Sequence, residues 1–293
     1  MASHNRSSTR EISYAYSAAT RPGRAMIRLM ENSTGRLRLI KRAAGYEDEV
    51  GAGRSFFDVM AERYGLSLDV VGGSLDLIPR EGPVIFIANH PYGILDGLML
   101  GQMMSQTRGD FKIMAHSVFN RAPDLNRHLL PISFETDKAA LELNLATRRN
   151  ALKYLADGGA IGIFPGGTVS TAAKPFSKPM DPGWRSFTAR MIAKSRAQIV
   201  PIYFDGHTSR MFQIASHLHS TLRMGLLIKE FKKRVDTPVR IAIGRPLGRD
   251  VLDTLAADAK AMMDFLRKAT YELSPEPLVT TELGFEFEEH HRA

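Results

Sequence analysis

Short apolar runs alternate along this chain with longer stretches in which apolar residues recur at helical spacing. The apolar runs predict buried strands at 84–88, 111–115, 160–164, 199–202 and 239–243. Residues 66–79 predict a strand pair around Gly72-Gly73, and helical spacing predicts helices at 56–64, 96–104, 137–157, 186–195 and 252–273. Alternating strands and helices are typical of an α/β fold. We expect a layered sandwich with a mixed, mostly parallel central sheet flanked by helices, plus basic N-terminal helices.

The strand at 84–88 ends in Asn89-His90, and a Pro-Tyr-Gly turn separates this histidine from Asp96 at the head of the next helix. Each helical residue advances the chain by roughly 100°, so two residues six apart on one continuous helix point away from each other. His90 and Asp96 therefore meet only if His90 lies on a loop that folds back over the start of the helix.

Such a fold would let the Asp96 carboxylate hold one nitrogen of the His90 imidazole. The other nitrogen would then be free to take a proton from a hydroxyl group. The pair is a candidate general base with its orienting carboxylate. A hydrogen-bonded structural pair is the other interpretation, and these two residues alone do not separate the two.

A second candidate stretch follows the predicted strand at 160–164. There the chain runs into Pro165-Gly166-Gly167-Thr168-Val169-Ser170. Glycines and small hydroxyl residues after a strand offer backbone N–H groups and allow a ligand to approach closely. A plain turn would use the same residues, so this stretch alone does not define a site.

Taken together, the two stretches resemble motifs of the glycerolipid acyltransferase superfamily, which is typified by lysophosphatidate acyltransferases. The family has an Asn-His, four-residue gap, Asp motif, then a Phe-Pro-Glu-Gly-Thr-Arg-Ser motif and a later Val-Pro element. The matching positions here are Asn89, His90, Asp96, Phe164, Pro165, Gly167, Thr168, Ser170, Val200 and Pro201. The resemblance extends over about residues 65–250.

Three departures from the family motifs affect the expected substrate. The gap between His90 and Asp96 is five residues, Gly166 replaces the motif's Glu, and Val169 replaces its Arg. In the family that Arg is interpreted as gripping the acceptor's phosphate, so its absence argues against lysophosphatidic acid. The motif variants and the run 200–212 are more similar to the hemolysin-like or lyso-ornithine lipid acyltransferase branch. The His-Pro-x-Gly element is also shared with neutral-lipid acyltransferases.

The resemblance implies an O-acyltransferase of membrane lipid biosynthesis. It would move a fatty acyl group from acyl carrier protein or coenzyme A to the free hydroxyl of a lysolipid, without a cofactor or metal. His90 would be the general base, oriented by Asp96, and N–H groups near Gly166 and Gly167, with Thr168 or Ser170, would stabilise the oxyanion. Candidate substrate-binding residues are Asn89, Gly93, Arg121, Phe164, Pro165, Gly166, Gly167, Thr168, Ser170, Arg185 and Arg210.

Charge adds a candidate membrane contact at the N-terminus. The chain has a net charge of +8, and residues 1–45 carry nine Lys and Arg against Glu11 and Glu31. Basic residues interleaved with Met, Leu and Ile suit the surface of an anionic membrane, where each cation contributes about 1 kcal/mol. A solvated helix packed on the protein through its apolar side explains the same pattern. No nucleic-acid-binding motif is evident, so we expect no nucleic-acid partner.

With 293 residues and 44% hydrophobic content, the chain can bury a substantial core. We divide it into a basic amphipathic segment (1–52), an acyltransferase domain (53–275) and an acidic tail (276–293), of which residues 282–289 are expected to be mobile. There is no Cys, and no apolar run is long enough for a membrane-spanning helix. Residues 1–20 lack the apolar core of a signal peptide. We therefore expect a cytoplasmic protein on the inner face of the cell membrane.

Two other functions fit part of the pattern. A membrane-lipid-binding protein that keeps the acyltransferase fold without turnover would explain the longer gap and the missing Glu. A metal-dependent hydrolase using His90 and Asp96 is the third hypothesis, although no further ligands stand at suitable spacing.

Overall fold

The computed structural model describes residues 13–18, 20–117, 123–133 and 137–287. Within these ranges, seven strands form the main sheet and two short strands form a separate antiparallel pair. The nine strands are β1 (Ser67–Gly72), β2 (Val84–Ala88), β3 (Lys112–His116), β4 (Leu129–Ile132), β5 (Ala160–Ile163), β6 (Thr171–Ala172), β7 (Pro179–Met180), β8 (Gln198–Phe204) and β9 (Pro238–Ile243).

The strand order of the main sheet is β1-β9-β8-β2-β5-β3-β4. All neighbouring strands are parallel except β8 and β9, which pair antiparallel. β2 lies between β5 and β8, and every residue of β2 is buried, as the continuous apolar run from Val84 predicts. Its carboxyl end therefore opens at the middle of the sheet, where an α/β fold places its ligands.

Helices cover both faces of the sheet. One core layer joins β2, β8 and β9 to α2 through α5 and α9, and the other joins β2 and β5 to α6, α7, α10 and α11. The predicted α/β layered sandwich is confirmed. The described helices are α1 (Arg21–Thr34), α2 (Arg36–Ala43), α3 (Tyr46–Gly51), α4 (Phe56–Arg63), α5 (Ile94–Arg108), α6 (Lys138–Ala156), α7 (Ser186–Lys194), α8 (Arg210–Leu218), α9 (Ser220–Arg234), α10 (Arg249–Thr254) and α11 (Ala259–Tyr271).

Two predicted elements were wrong in extent. The stretch 66–79 forms one strand, β1, followed by a 3-10 turn at Leu75–Leu77, because Gly73 turns the chain with φ +71° and the side chain of Ser74 caps that turn. The stretch 252–273 is two helices rather than one. The side chain of Asp258 accepts from two N–H groups and begins α11 anew.

The N-terminal helices pack against the body of the protein. α1 lies along α9 and buries Ile27 and Glu31, whereas Met26 and Leu29 stay exposed. The burial of Ile27 agrees with the interpretation of a solvated helix that packs on the protein through its apolar side. Contact of the segment with a membrane stays a prediction. In the part of the chain that the structure describes, no helix combines the length and apolar character needed to cross a membrane.

The described part of the acidic tail folds back toward the second motif. The N–H of Gly284 donates to the carbonyl of Asp181 (2.8 Å), and that of Phe285 donates to the carbonyl of Thr171 (3.0 Å). These contacts differ from the mobile tail that the acidic composition predicted. The division at 52 and 275 stays a prediction.

Candidate active site

His90 and Asp96 come together at the carboxyl end of β2. Nδ1 of His90 lies 3.0 Å from Oδ2 of Asp96, and the imidazole keeps 19% of its surface exposed while the carboxylate is fully buried. The ring is tilted away from the alignment of a hydrogen bond, so the imidazole must rotate slightly before an N–H at Nδ1 can donate to this oxygen. The five-residue gap thus still allows the carboxylate to reach the imidazole.

The first turn of α5 holds Asp96 in place. Its Oδ2 accepts from the N–H groups of Tyr92 (2.7 Å) and Gly93 (3.0 Å). Burial raises the pKa of Asp96, and His90 together with these two N–H groups opposes that shift. Gly93 has φ +79°, a conformation that favours glycine, so the loop preceding α5 depends on this residue.

Phe164, the last residue before the second motif's turn, stacks on the imidazole of His90. The two ring centroids are 4.3 Å apart and the planes are inclined by 29°. Phe164 also packs against the core on that side of the sheet. It therefore restricts the rotation of the His90 ring from one side, while Asp96 approaches Nδ1.

The second motif lies beside His90. The N–H of Ser170 donates to the carbonyl of His90 (2.8 Å), and the N–H of Gly167 closes a turn onto the carbonyl of Phe164 (3.0 Å). These two donors are engaged. The N–H groups of Gly166 and Thr168 donate to no acceptor among the described residues, so they remain the candidate oxyanion donors of this loop.

Asp181, which was not among the predicted site residues, connects the two motifs. This buried carboxylate accepts from the N–H of His90 (3.2 Å), from the hydroxyl of Ser170 and from the indole N–H of Trp184 (2.9 Å). A Cβ added to Gly166 would lie 3.1 Å from its Oδ2. The carboxylate of Asp181 therefore occupies the space beside the position where the family motif has Glu.

Arg223 on α9 holds the second motif from behind. Its guanidinium donates to the hydroxyl of Thr168 (2.9 Å), the carbonyl of Val169 (2.8 Å), and the hydroxyls of Thr171 (2.6 Å) and Ser216 (3.0 Å). Burial lowers the pKa of Arg223 to about 9, so the side chain stays cationic at neutral pH. Arg223 is one of five Lys and Arg residues on α9, so nothing in the sequence singles it out for this role.

We expect Arg223→Met to lower the free energy of unfolding by roughly 3 kcal/mol, because several buried acceptors lose their donor. Acyl transfer should fall as well, since the motif loop loses its support. Urea unfolding and a transfer assay measure the two effects. Lys229→Met, on the same helix, is the control and should change the unfolding free energy by less than roughly 0.5 kcal/mol. Equal stability of the two variants would contradict this role for Arg223.

Tyr14 connects the N-terminal segment to the site. Its hydroxyl accepts from the N–H of Ile94 at the start of α5 (3.2 Å), and burial raises its pKa, so the hydroxyl is neutral. Its own N–H donates to the buried carboxylate of Glu31 (2.6 Å), which also accepts from the hydroxyl of Ser13 (2.6 Å). The basic segment is thus part of the wall around the pair.

The remaining predicted site residues are spread over several positions. The amide of Asn89 donates to and accepts from the backbone of Phe204 (2.9 and 2.7 Å), so it ties β2 to β8. The N–H of Arg185 donates to the carbonyl of Pro165 (3.1 Å), next to the second motif. Arg210 is exposed at the start of α8, and Arg121 lies outside the described residues. Substrate contact by these side chains stays a prediction.

Among the described residues, no group of three His, Asp or Glu side chains converges as a metal site would require. The expectation of a metal-independent reaction stays a prediction. Transfer that persists after treatment with a chelator would exclude the hydrolase hypothesis in its metal-dependent form.

The sequence profile of the family described as "Acyltransferase" matches residues 48–276, a range that contains both motifs. The chain belongs to the acyltransferase family. Its predicted membership in the glycerolipid acyltransferase superfamily, and its assignment as an enzyme of acyl transfer, are confirmed.

Two curated relatives of this acyltransferase are lyso-glycine lipid O-acyltransferases. The protein of Phocaeicola vulgatus is 21% identical over 229 residues, which cover 75% of this chain and 78% of the relative. That of Bacteroides thetaiotaomicron is 21% identical over 234 residues, covering 78% and 82%. The crystal structure of the 1-acyl-sn-glycerophosphate (LPA) acyltransferase PlsC from Thermotoga maritima superposes with a TM-score of 0.46 at 15% identity, covering 88% of this chain and 83% of that one.

Proposed function

We propose that this acyltransferase moves a fatty acyl group from an acyl thioester to the free hydroxyl of a lysolipid. The observation that carries the proposal is the buried Asp96 carboxylate 3.0 Å from Nδ1 of a partly exposed His90 at the carboxyl end of the central strand. The curated relatives are named for transfer to a lysolipid, which supports the same acceptor class. The donor is acyl carrier protein or coenzyme A carrying the acyl chain.

In the proposed reaction, Asp96 holds Nδ1 of His90 protonated, so that Nε2 is the free base. Nε2 takes the proton of the lysolipid hydroxyl as the oxygen attacks the thioester carbonyl. The N–H groups of Gly166 and Thr168 stabilise the tetrahedral oxyanion, and one well-placed donor contributes roughly 3 kcal/mol. The C–S bond then breaks, and the imidazolium returns the proton to the leaving thiolate. No acyl-enzyme is required.

Val169 supports an acceptor other than lysophosphatidic acid. Its side chain packs in an apolar cluster with Phe212, Leu226 and Leu227 instead of presenting a cation. The buried guanidinium of Arg223 lies behind this residue and is occupied by the loop. We infer that the acceptor carries an amino-acid head group, the class for which the curated relatives are named.

A cavity of about 230 Å³ beside Asn89 and Ser170 is the candidate position for that head group. Its lining carries both signs of charge, with Arg240 paired to Asp205 (2.7 Å) and Lys178 paired to Glu276 (3.6 Å). These cations can bind the carboxylate of an amino-acid head by exchanging partners. A cavity of this size accommodates a small polar group and leaves the acyl chain outside.

The test is transfer by the purified protein from labelled acyl-carrier-protein and coenzyme A thioesters to a panel of lysolipids. The panel contains phosphate, phospho-head-group, amino-acid and neutral acceptors. We expect product with amino-acid lysolipids above the others. Product with lysophosphatidic acid alone would refute the proposed acceptor but not the reaction.

The lipid-binding protein without turnover is the competing hypothesis. It was based on the longer gap and on the missing motif Glu. In the structure Asp96 reaches His90 across the gap, and Asp181 lies beside Gly166. Absence of product from every donor and acceptor, with lipid binding intact, would favour this alternative over the enzyme.

The proposed working place of the enzyme is the inner face of the cell membrane, where the lysolipid resides. The basic N-terminal segment supports an anionic surface as its partner, since Met26 and Leu29 stay exposed among arginines of α1. Cosedimentation with anionic vesicles at low and high salt tests this contact. Binding that is indifferent to salt would argue against an electrostatic contribution.

A further inference from the structure

The outer face of α8 exposes three large apolar side chains in one stripe. Met211, Ile214 and Leu218 stand at helical spacing of three and four residues, and they are 44%, 41% and 70% exposed. We call these three residues the α8 stripe. They take no part in the reaction proposed above.

The inner face of the same helix covers the second motif. Phe212 packs with Val169, and the side chain of Gln213 accepts from the N–H of Ala172 (2.8 Å). A helix with its side chains is about 10 Å across. The α8 stripe therefore lies about one helix diameter from the loop that faces His90, on the side open to solvent.

The surroundings of the stripe are cationic. Residues 210–234 contain six Lys and Arg, of which only Arg223 is buried, and one acid, Glu230, which is buried and accepts from Ser209. The ammonium group of Lys229 lies 3.7 Å from the sulfur of Met211, at the edge of the stripe. Apolar residues rimmed by cations are the surface composition that binds an anionic lipid interface.

We propose that α8 is a membrane-docking helix whose stripe inserts among the acyl chains of an anionic bilayer. Its purpose, to bring the lysolipid to His90, rests on the proposed function, whereas docking itself is measured without turnover. A second copy of the chain is a poorer partner for the α8 stripe, because pairing two stripes would bring the cations around them close together. Three side chains are also too few for a stable protein interface, which buries about 800 Å² on each partner.

Insertion can be observed at single positions, because the chain has no Cys. In the Leu218→Cys variant, an environment-sensitive fluorophore is attached to the new thiol within the α8 stripe. Leu141→Cys, on α6, carries it at a comparably exposed apolar position, since Leu141 is 59% exposed. We add vesicles of phosphatidylcholine and phosphatidylglycerol in equal parts. We expect a blue shift and brighter emission at 218 and no change at 141. Equal responses at the two positions, or none at 218, would overturn the proposal.

Cosedimentation with the same vesicles tests the contribution to binding. Replacing all three residues of the α8 stripe by Gln should weaken partition roughly tenfold or more, since the apolar burial is lost. Leu141→Gln with Leu145→Gln is the matched control and should bind like the wild type. Circular dichroism verifies that each variant is folded. Unchanged binding of the stripe variant overturns the proposal, whereas a wild type that docks but transfers no acyl group contradicts only the proposed function.

Discussion

His90→Ala reduces acyl transfer by roughly 10²- to 10⁴-fold, the range expected when a general base is removed. The side chain lies at the edge of the core and is partly exposed, so its loss leaves the fold intact. The initial rate with a labelled thioester and an amino-acid lysolipid measures the effect. Vesicle binding should stay at the wild-type level.

His219→Ala is the matched control for this experiment. His219 is exposed before α9 and its side chain accepts from the N–H of Thr221, so its loss removes a helix cap and leaves the pair untouched. The control should transfer at the wild-type rate. A His90 variant that retains full activity would exclude the imidazole as the base, and the lipid-binding alternative would predict no difference between the two variants.

Asp96→Asn is expected to reduce transfer by a comparable factor while keeping the protein folded. The amide oxygen of Asn can still accept from the N–H groups of Tyr92 and Gly93, so the first turn of α5 is preserved. That oxygen is also the atom beside Nδ1 of His90, so the variant keeps an acceptor there but loses the negative charge that stabilises the imidazolium formed during transfer. The transfer rate and the unfolding temperature, measured together, separate this effect from a folding defect.

The pH dependence of stability gives Asp96→Asn a second readout. Because burial raises the pKa of Asp96, the folded protein binds this proton more tightly than the unfolded chain does. The stability that this group contributes is present below its unfolded pKa of about 3.9 and is lost as the pH rises through the raised folded value. Asn does not titrate. The unfolding temperature of the variant, measured relative to that of the wild type, should therefore increase as the pH rises. The opposite trend would mean that the contact with His90 lowers the pKa of Asp96 by more than burial raises it.

The relation between His90 and Asp96 was predictable because it is local. A buried strand, a Pro-Gly turn and a helix follow one another within a few residues, and a glycine preceding the helix lets the chain fold back. Elements with a strong apolar pattern, such as β2 and α6, were likewise predicted near their observed bounds. The break within 252–273 was not predicted. Asp258 caps a new helix there, and the apolar spacing continues across the break, so the pattern alone indicates one helix.

By itself, the sequence determined the α/β class, the two motifs and the residues proposed for proton transfer, because local periodicity and turn chemistry encode all three. Only the tertiary structure decided that Asp181 and Arg223 support the motifs and that the N-terminal Tyr14 reaches α5. It also decided that α8 turns an apolar stripe to solvent. These contacts join residues far apart along the chain, and no spacing in the sequence specifies which polar side chain a distant loop will meet.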